Sequence, residues 1–162
     1  MEWSVNPQKS EIAFEANGGA KGTFKSYQTD IEFDPDTPEE ASVHVTLDMR
    51  SISTGIPGAD QMFLSEEFLD PARYPTAIFA ARGAKPDGDG KYILDGRLTL
   101  KGVTKPLILP VSIEIAEGTA AVRAETTIDR LDFGAGPETA AGLAPGKDVK
   151  VSINLTAVRL DD

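Results

Sequence analysis

Val149-Lys150-Val151-Ser152-Ile153-Asn154-Leu155-Thr156-Ala157 alternates apolar and polar residues without a fault. Successive side chains of an extended strand point to opposite faces, so this stretch has one dry face and one wet face. The same rhythm runs through much of the chain. Val43, Val45, Leu47 and Met49 alternate with His44, Thr46, Asp48 and Arg50. Leu94, Gly96, Leu98 and Leu100 alternate with Asp95, Arg97, Thr99 and Lys101, and Val111, Ile113 and Ile115 with Ser112 and Glu114. Half-buried antiparallel strands read this way; fully buried parallel ones do not.

Turn residues separate the runs. Asp34-Pro35-Asp36 closes one strand, Pro86-Asp87-Gly88-Asp89-Gly90 reads as a hairpin loop, and Gly102 and Glu117-Gly118 mark tight reversals. Eight strands are predicted, near 10–16, 20–34, 41–50, 75–84, 91–101, 104–117, 119–129 and 147–159. In the second of these the apolar parity shifts between Phe24 and Ile31-Phe33, which calls for a bulge or bend. Asp60 is placed to cap a short helix carrying Met62 and Phe63, ending before Phe68-Leu69-Asp70-Pro71. Gly134 to Gly146 is rich in Gly, Ala and Pro and reads as a long loop. The fold class that results is all-β: an eight-stranded antiparallel barrel with one short helical insertion, residues 1–162 forming a single domain. Closure removes exposed edges, and eight strands leave an interior that side chains just fill or that holds one small ligand. A two-sheet sandwich is the structural rival.

The 162 residues contain no cysteine, which excludes disulfides and thiolate metal sites. A formal net charge of -10 disfavours nucleic acid and anionic bilayers as partners. No apolar run reaches the ~20 residues of a spanning helix. Met1-Glu2-Trp3-Ser4-Val5 shows no charged-then-apolar leader. A cytosolic protein and the mature part of an exported one both remain open.

Catalytic signals are absent from the pattern. His44 is the one histidine, and it lies on the wet parity of its strand. A zinc site would want three or four clustered ligands, and a Ser-His-Asp triad would have to use His44 without a nucleophile elbow. Asp87-Gly88-Asp89-Gly90 lacks the further ligands of a calcium loop. Asp129, Arg130 and Asp132 read as a structural ion-pair network at a strand end. Phe14, Phe24, Phe33, Phe63, Phe68, Phe79 and Phe133, by contrast, are spread along the chain as if converging on one interior.

Several short stretches, in order, carry a family resemblance: Trp3-Ser4-Val5-Asn6-Pro7, Ser10-Glu11-Ile12-Ala13-Phe14, Gly22-Thr23-Phe24, Ile31-Glu32-Phe33-Asp34-Pro35 and Ser51-Ile52-Ser53-Thr54-Gly55. Asp60, Phe68-Leu69-Asp70, Tyr74-Pro75 and Phe79 follow, then Gly96-Arg97-Leu98-Thr99-Leu100-Lys101-Gly102-Val103-Thr104-Lys105-Pro106 and Asp129-Arg130-Leu131-Asp132-Phe133-Gly134. Together they resemble the YceI-like family of lipocalin-like, polyisoprenoid-binding proteins over nearly the whole chain. Two departures stand out. Lys9 occupies a position where many members have histidine, and Glu15 to Ala20 is short and Gly-rich where relatives carry a longer apolar segment.

The resemblance implies an elongated barrel with an apolar tunnel for an isoprenoid chain, export to the periplasm, and no established catalytic residues. Some relatives are fused to, or encoded beside, membrane b-type cytochromes; this points to a quinone-like isoprenoid as ligand, with a polyprenyl lipid as the alternative, and to such a cytochrome as partner. No cofactor is required beyond the bound lipid, and a monomer or homodimer is expected. The candidate lining is Phe14, Phe24, Phe33, Val45, Leu47, Met49, Met62, Phe63, Phe68, Phe79, Leu98, Leu100, Ile113, Phe133, Val151 and Ile153. The function expected is that of a lipid-binding or carrier protein. A small enzyme acting inside the barrel and an interaction barrel with a filled core are the alternatives.

Overall fold

A computed structural model describes residues 2–16, 21–66, 68–135 and 148–160. Its strands are, in chain order, β1 (Glu2–Val5), β2 (Glu11–Ala16), β3 (Lys21–Phe24), β4 (Tyr27–Glu32), β5 (Ser42–Asp48) and β6 (Ile52–Ser53). The helix α1 (Pro57–Phe63) follows, then β7 (Thr76–Pro86), β8 (Lys91–Leu100), β9 (Val103–Ala116), β10 (Thr119–Asp129) and β11 (Asp148–Leu160). All pairings are antiparallel. They run β1-β4-β5-β7-β8-β9-β10-β11, and β11 pairs back to β1, so the sheet is a closed eight-stranded barrel. That closure rules out the sandwich.

Three of the eight staves are broken. β1 and β2 both pair with β11 and are separated by a 3-10 turn at Pro7–Lys9. β3 and β4 form the second stave, β5 and β6 the third. The predicted strand over 20–34 is therefore two strands. Its parity shift falls at Lys25-Ser26, where the Lys25 amide donates to the Ser51 carbonyl across the next break. A single extended segment could not turn its apolar side chains inward on both sides of that shift. The other five staves are continuous. β1, which shares the closing stave with β2, has only four residues, too few to declare a period.

The hairpins follow turn chemistry. Lys101-Gly102 and Glu117-Gly118 are two-residue turns in which both residues have positive φ, the geometry that matches strand twist. In β7 a bulge between Ala81 and Ala84, with Gly83 donating to the Ala41 carbonyl at 2.7 Å, keeps Ala84 facing inward beyond the irregularity.

The helix starts differently from the expectation. Ile56 stands at its N-cap with no side-chain cap, and Asp60 lies inside the first turn. The Asp60 carboxylate instead reaches back to accept from the Thr54 amide at 2.7 Å and the Thr54 hydroxyl at 2.6 Å. These bonds hold the carboxyl below its ordinary range. A depressed carboxyl contributes stability that is present above its unfolded value and lost as pH falls through the lowered one. Protection of the Thr54 amide against hydrogen exchange should therefore fall on acidification below the aspartate range. In Asp60→Ala it should be low at every pH. Protection that ignores both changes would show that the carboxylate does not organise this turn.

Candidate functional site

The inward faces of the staves surround a cavity of about 210 Å³. Apolar cavities of ~150 Å³ already hold benzene and stay dry. The space exists because many inward positions are small: Ala41, Ala77, Ala84 and Ala124 line it beside larger aliphatic side chains. Two aromatic rings are also turned aside. The ring of Phe14 lies against Gly22 of the neighbouring strand, and that of Phe79 against Gly96. A Cβ at Gly22 would stand 2.9 Å from Phe14 Cζ; one at Gly96 would stand 2.7 Å from Phe79 Cζ. Covering a strand glycine with a ring restores the wall and leaves the lumen clear.

All the candidate lining residues reach this cavity except two. Met62 is half-buried and packs against the Phe14, Ile52, Phe63 and Phe68 cluster without lining the cavity. Phe133 is buried against Met49, Ala77 and Leu100 behind the wall. Both lie on helical turns, where alternation does not tell inside from outside. The lining also includes residues outside the candidate set, among them Ile12, Ile31, Leu109, Val111, Val122 and Leu155. Their strand parity marks them as inward.

At the α1 end of the lumen four phenylalanines touch in series. Phe24 to Phe14, Phe14 to Phe63 and Phe63 to Phe68 have ring-centroid separations of 5.6, 5.5 and 5.7 Å. The last two pairs are edge-to-face, the geometry ring quadrupoles favour. At the opposite end Phe33 meets Tyr92 edge-on, and the Trp3 indole donates to the Phe33 carbonyl at 2.9 Å.

Two polar side chains line the cavity among the described residues, Thr126 and Arg130. Arg130 is buried, 5 % exposed; its Nη1 donates to the Ala135 carbonyl at 3.1 Å and its guanidinium stands 5.7 Å over the Phe68 ring. The three residues read from sequence as one ion-pair network differ in exposure. Asp129 accepts from the Leu131 amide, Asp132 is exposed, and Arg130 is buried at the cavity wall. The missed signal was parity: Ala124, Thr126 and Ile128 line the cavity at alternate positions of β10, and Arg130 comes next in that series.

His44 is exposed, as its parity requires. Tyr27 is not on the cavity wall. Its hydroxyl is buried without a well-aligned partner, and burial pushes the phenol up, partly offset by the nearby Ser10 hydroxyl. Among the described residues no group of three or more His, Asp or Glu is placed to hold a metal, and no helix is long and apolar enough to cross a membrane. Glu15 is described, but the rest of the Gly-rich stretch after Ala16, and the predicted loop beyond Ala135, lie outside the described residues.

The barrel is matched by solved structures. BcnA of Burkholderia cenocepacia superposes with a TM-score of 0.90 at 25% identity, covering 96% of this chain and 100% of that one. A polyisoprenoid binding domain from Saccharophagus degradans superposes with a TM-score of 0.77 over 98% of each chain; at 16% identity it speaks to the fold alone. In sequence, a UPF0312 protein of Photorhabdus laumondii is 39% identical over 88 residues, 54% of this chain and 45% of that protein. The chain spans between 45% and 63% of the length of three such relatives. The model of the YceI-like domain matches residues 3–157, and the chain belongs to that family.

Proposed function

We propose that this chain binds an isoprenoid lipid in the barrel lumen and carries it without chemical change. The observation that supports the reading is the lining itself: a lumen walled by apolar side chains from every stave, with only Thr126 and Arg130 as polar members among the described residues. Burying a methylene is worth roughly 0.8 kcal/mol relative to water, so a chain of several isoprene units does not stay free in solution. Moving it from a bilayer to a dry tunnel exchanges one apolar surrounding for another. Uptake and release then need little driving force. The same lining argues for binding over catalysis. A guanidinium does not lose its proton and cannot act as a base, and a threonine hydroxyl without a base is a weak nucleophile.

The finer reading is a quinone as cargo, the periplasm as the compartment, and a membrane b-type cytochrome as the exchange partner. A pyrophosphate head would call for several cations around it, while a single lining arginine suits a quinone better. The test is native mass spectrometry of freshly purified protein, with the released ligand identified after denaturation. A mass increment matching an isoprenoid lipid is expected, and it should disappear on delipidation and return with added decylubiquinone. Protein that emerges empty and takes up neither decylubiquinone nor squalene would overturn the carrier reading.

A further inference from the structure

The ring of hydrogen bonds is complete at the Trp3 end of the lumen and interrupted at the α1 end. β6 pairs with β3 on one edge, and among the described residues no strand pairs with its other edge. β9 and β10 pair from Ala116 with Thr119 to Val111 with Ala124, and no further among the described residues. Next on β9 is Pro110, which has no amide to give. Two seams therefore run to this end of the barrel. Residues 56–74 fill the first. Phe63 and Phe68 pack with Ile52 of β6, and Leu69 reaches both that cluster and the one holding Ala77 and Leu100 of β7 and β8. The second seam ends at the 3-10 turn of Arg130–Phe133 and at Gly134.

The filling segment bonds largely to itself. The Leu69 amide donates to the Phe63 carbonyl, and the Tyr74 amide to the Asp70 carbonyl. Its front end is loosely packed: a side chain at Gly55 would meet nothing within 4 Å, and Ile56 is 63 % exposed. Lys101, on the β8–β9 turn, holds both fillings. Its Nζ donates to the Glu66 carbonyl at 2.9 Å and to the Gly134 carbonyl at 3.0 Å.

We infer that lipid enters and leaves the lumen at the α1 end, when residues 56–69 swing away from β6 and the β8–β9 turn, and that Lys101 sets how often they do. Passage between paired strands would strip backbone amides and carbonyls of their partners against an apolar guest. Parting this segment from the wall separates side chains and breaks no ladder, and moving elements are drawn from such weakly held parts. Lys101 does not line the cavity, so its loss changes the path and leaves the contacts of the bound lipid as they are. The inference rests on the carrier reading of the same cavity.

Trp3 is the one tryptophan and packs with Phe33 at the far end, so its quenching by decylubiquinone, delivered from phosphatidylcholine vesicles, times the arrival of a guest. Lys101→Met should speed uptake and release alike by about fivefold or more, the effect of losing a bond from a charged donor, with affinity unchanged. Lys101→Arg should restore most of the wild-type rate. The movement is also read without a guest. In this cysteine-free chain, Leu69→Cys and Ile113→Cys place one thiol each at half-buried lining positions of the two ends. A maleimide should label position 69 several-fold faster, and Lys101→Met should speed labelling there alone. Unchanged uptake and release in Lys101→Met overturn the inference, as does labelling at 113 that matches 69. Wild type that takes up no decylubiquinone counts against the carrier reading, while the labelling pair still decides whether this end opens.

Discussion

Leu47→Trp should abolish lipid uptake while leaving the barrel folded. Leu47 is half-buried on β5, lines the lumen, and stands opposite Ala77 of β7. Ala77 leaves the added ring atoms room to turn into the cavity. In a packed core, extra atoms would instead meet close neighbours, and overpacking typically costs about 1–3 kcal/mol. The expected pair of results is a melting temperature within a few degrees of wild type, roughly a 1 kcal/mol change or less, and the loss of most of the co-purifying lipid. Both must be read on one preparation. A marked fall in melting temperature, in protein whose wild type carries no lipid, would mean that the interior is filled in solution.

Trp3→Ala should have the largest effect on stability. β1 is short, yet it joins β11 to β4 along one half of the closing stave, while β2 joins β11 to β3 along the other. Trp3 is its one buried side chain, packed with Phe33, Ala84 and their neighbours, and its indole nitrogen donates to the Phe33 carbonyl. Truncating a buried tryptophan costs about 3–5 kcal/mol. For a chain of this size that corresponds to a fall in melting temperature of roughly 6–20 °C. Trp3→Phe keeps most of the packing and leaves the Phe33 carbonyl without its donor, so it should cost about 1–3 kcal/mol. The order wild type, Phe, Ala in chemical denaturation checks both terms. An alanine variant within 1 kcal/mol of wild type would show that the ring stays closed without this latch.

The barrel was legible where alternation is long. The β8 and β11 staves each show an unbroken period, and their inward residues were named in advance. It was illegible where the chain leaves the strand conformation. Met62 sits on a seven-residue helix and Phe133 on a 3-10 turn, and neither geometry has a two-residue period to read. β1 was missed because four residues cannot establish a rhythm. The distinction between core and cavity lies further from sequence still. It depends on how much volume remains once eight staves close, and the clue was negative: alanine and glycine at inward positions such as Ala77, Ala84, Ala124 and Gly96. Arg130 stood in plain view, and the strand parity that places it at the cavity wall was there to be read.

The rings of Phe14 and Phe79, folded over Gly22 and Gly96, make the tolerance of this barrel to change one-sided. A methyl at Gly22 would come within 2.5 Å of the Ser53 carbonyl oxygen, and one at Gly96 within 2.7 Å of the Ala80 carbonyl oxygen; both are backbone atoms that cannot step aside. Each glycine is therefore fixed by the main chain behind it, while the ring in front is free to shrink. Substitution can enlarge the lumen easily and narrow it, at these two places, only by distorting the wall. A lineage of such barrels would drift toward bulkier guests more readily than toward slimmer ones.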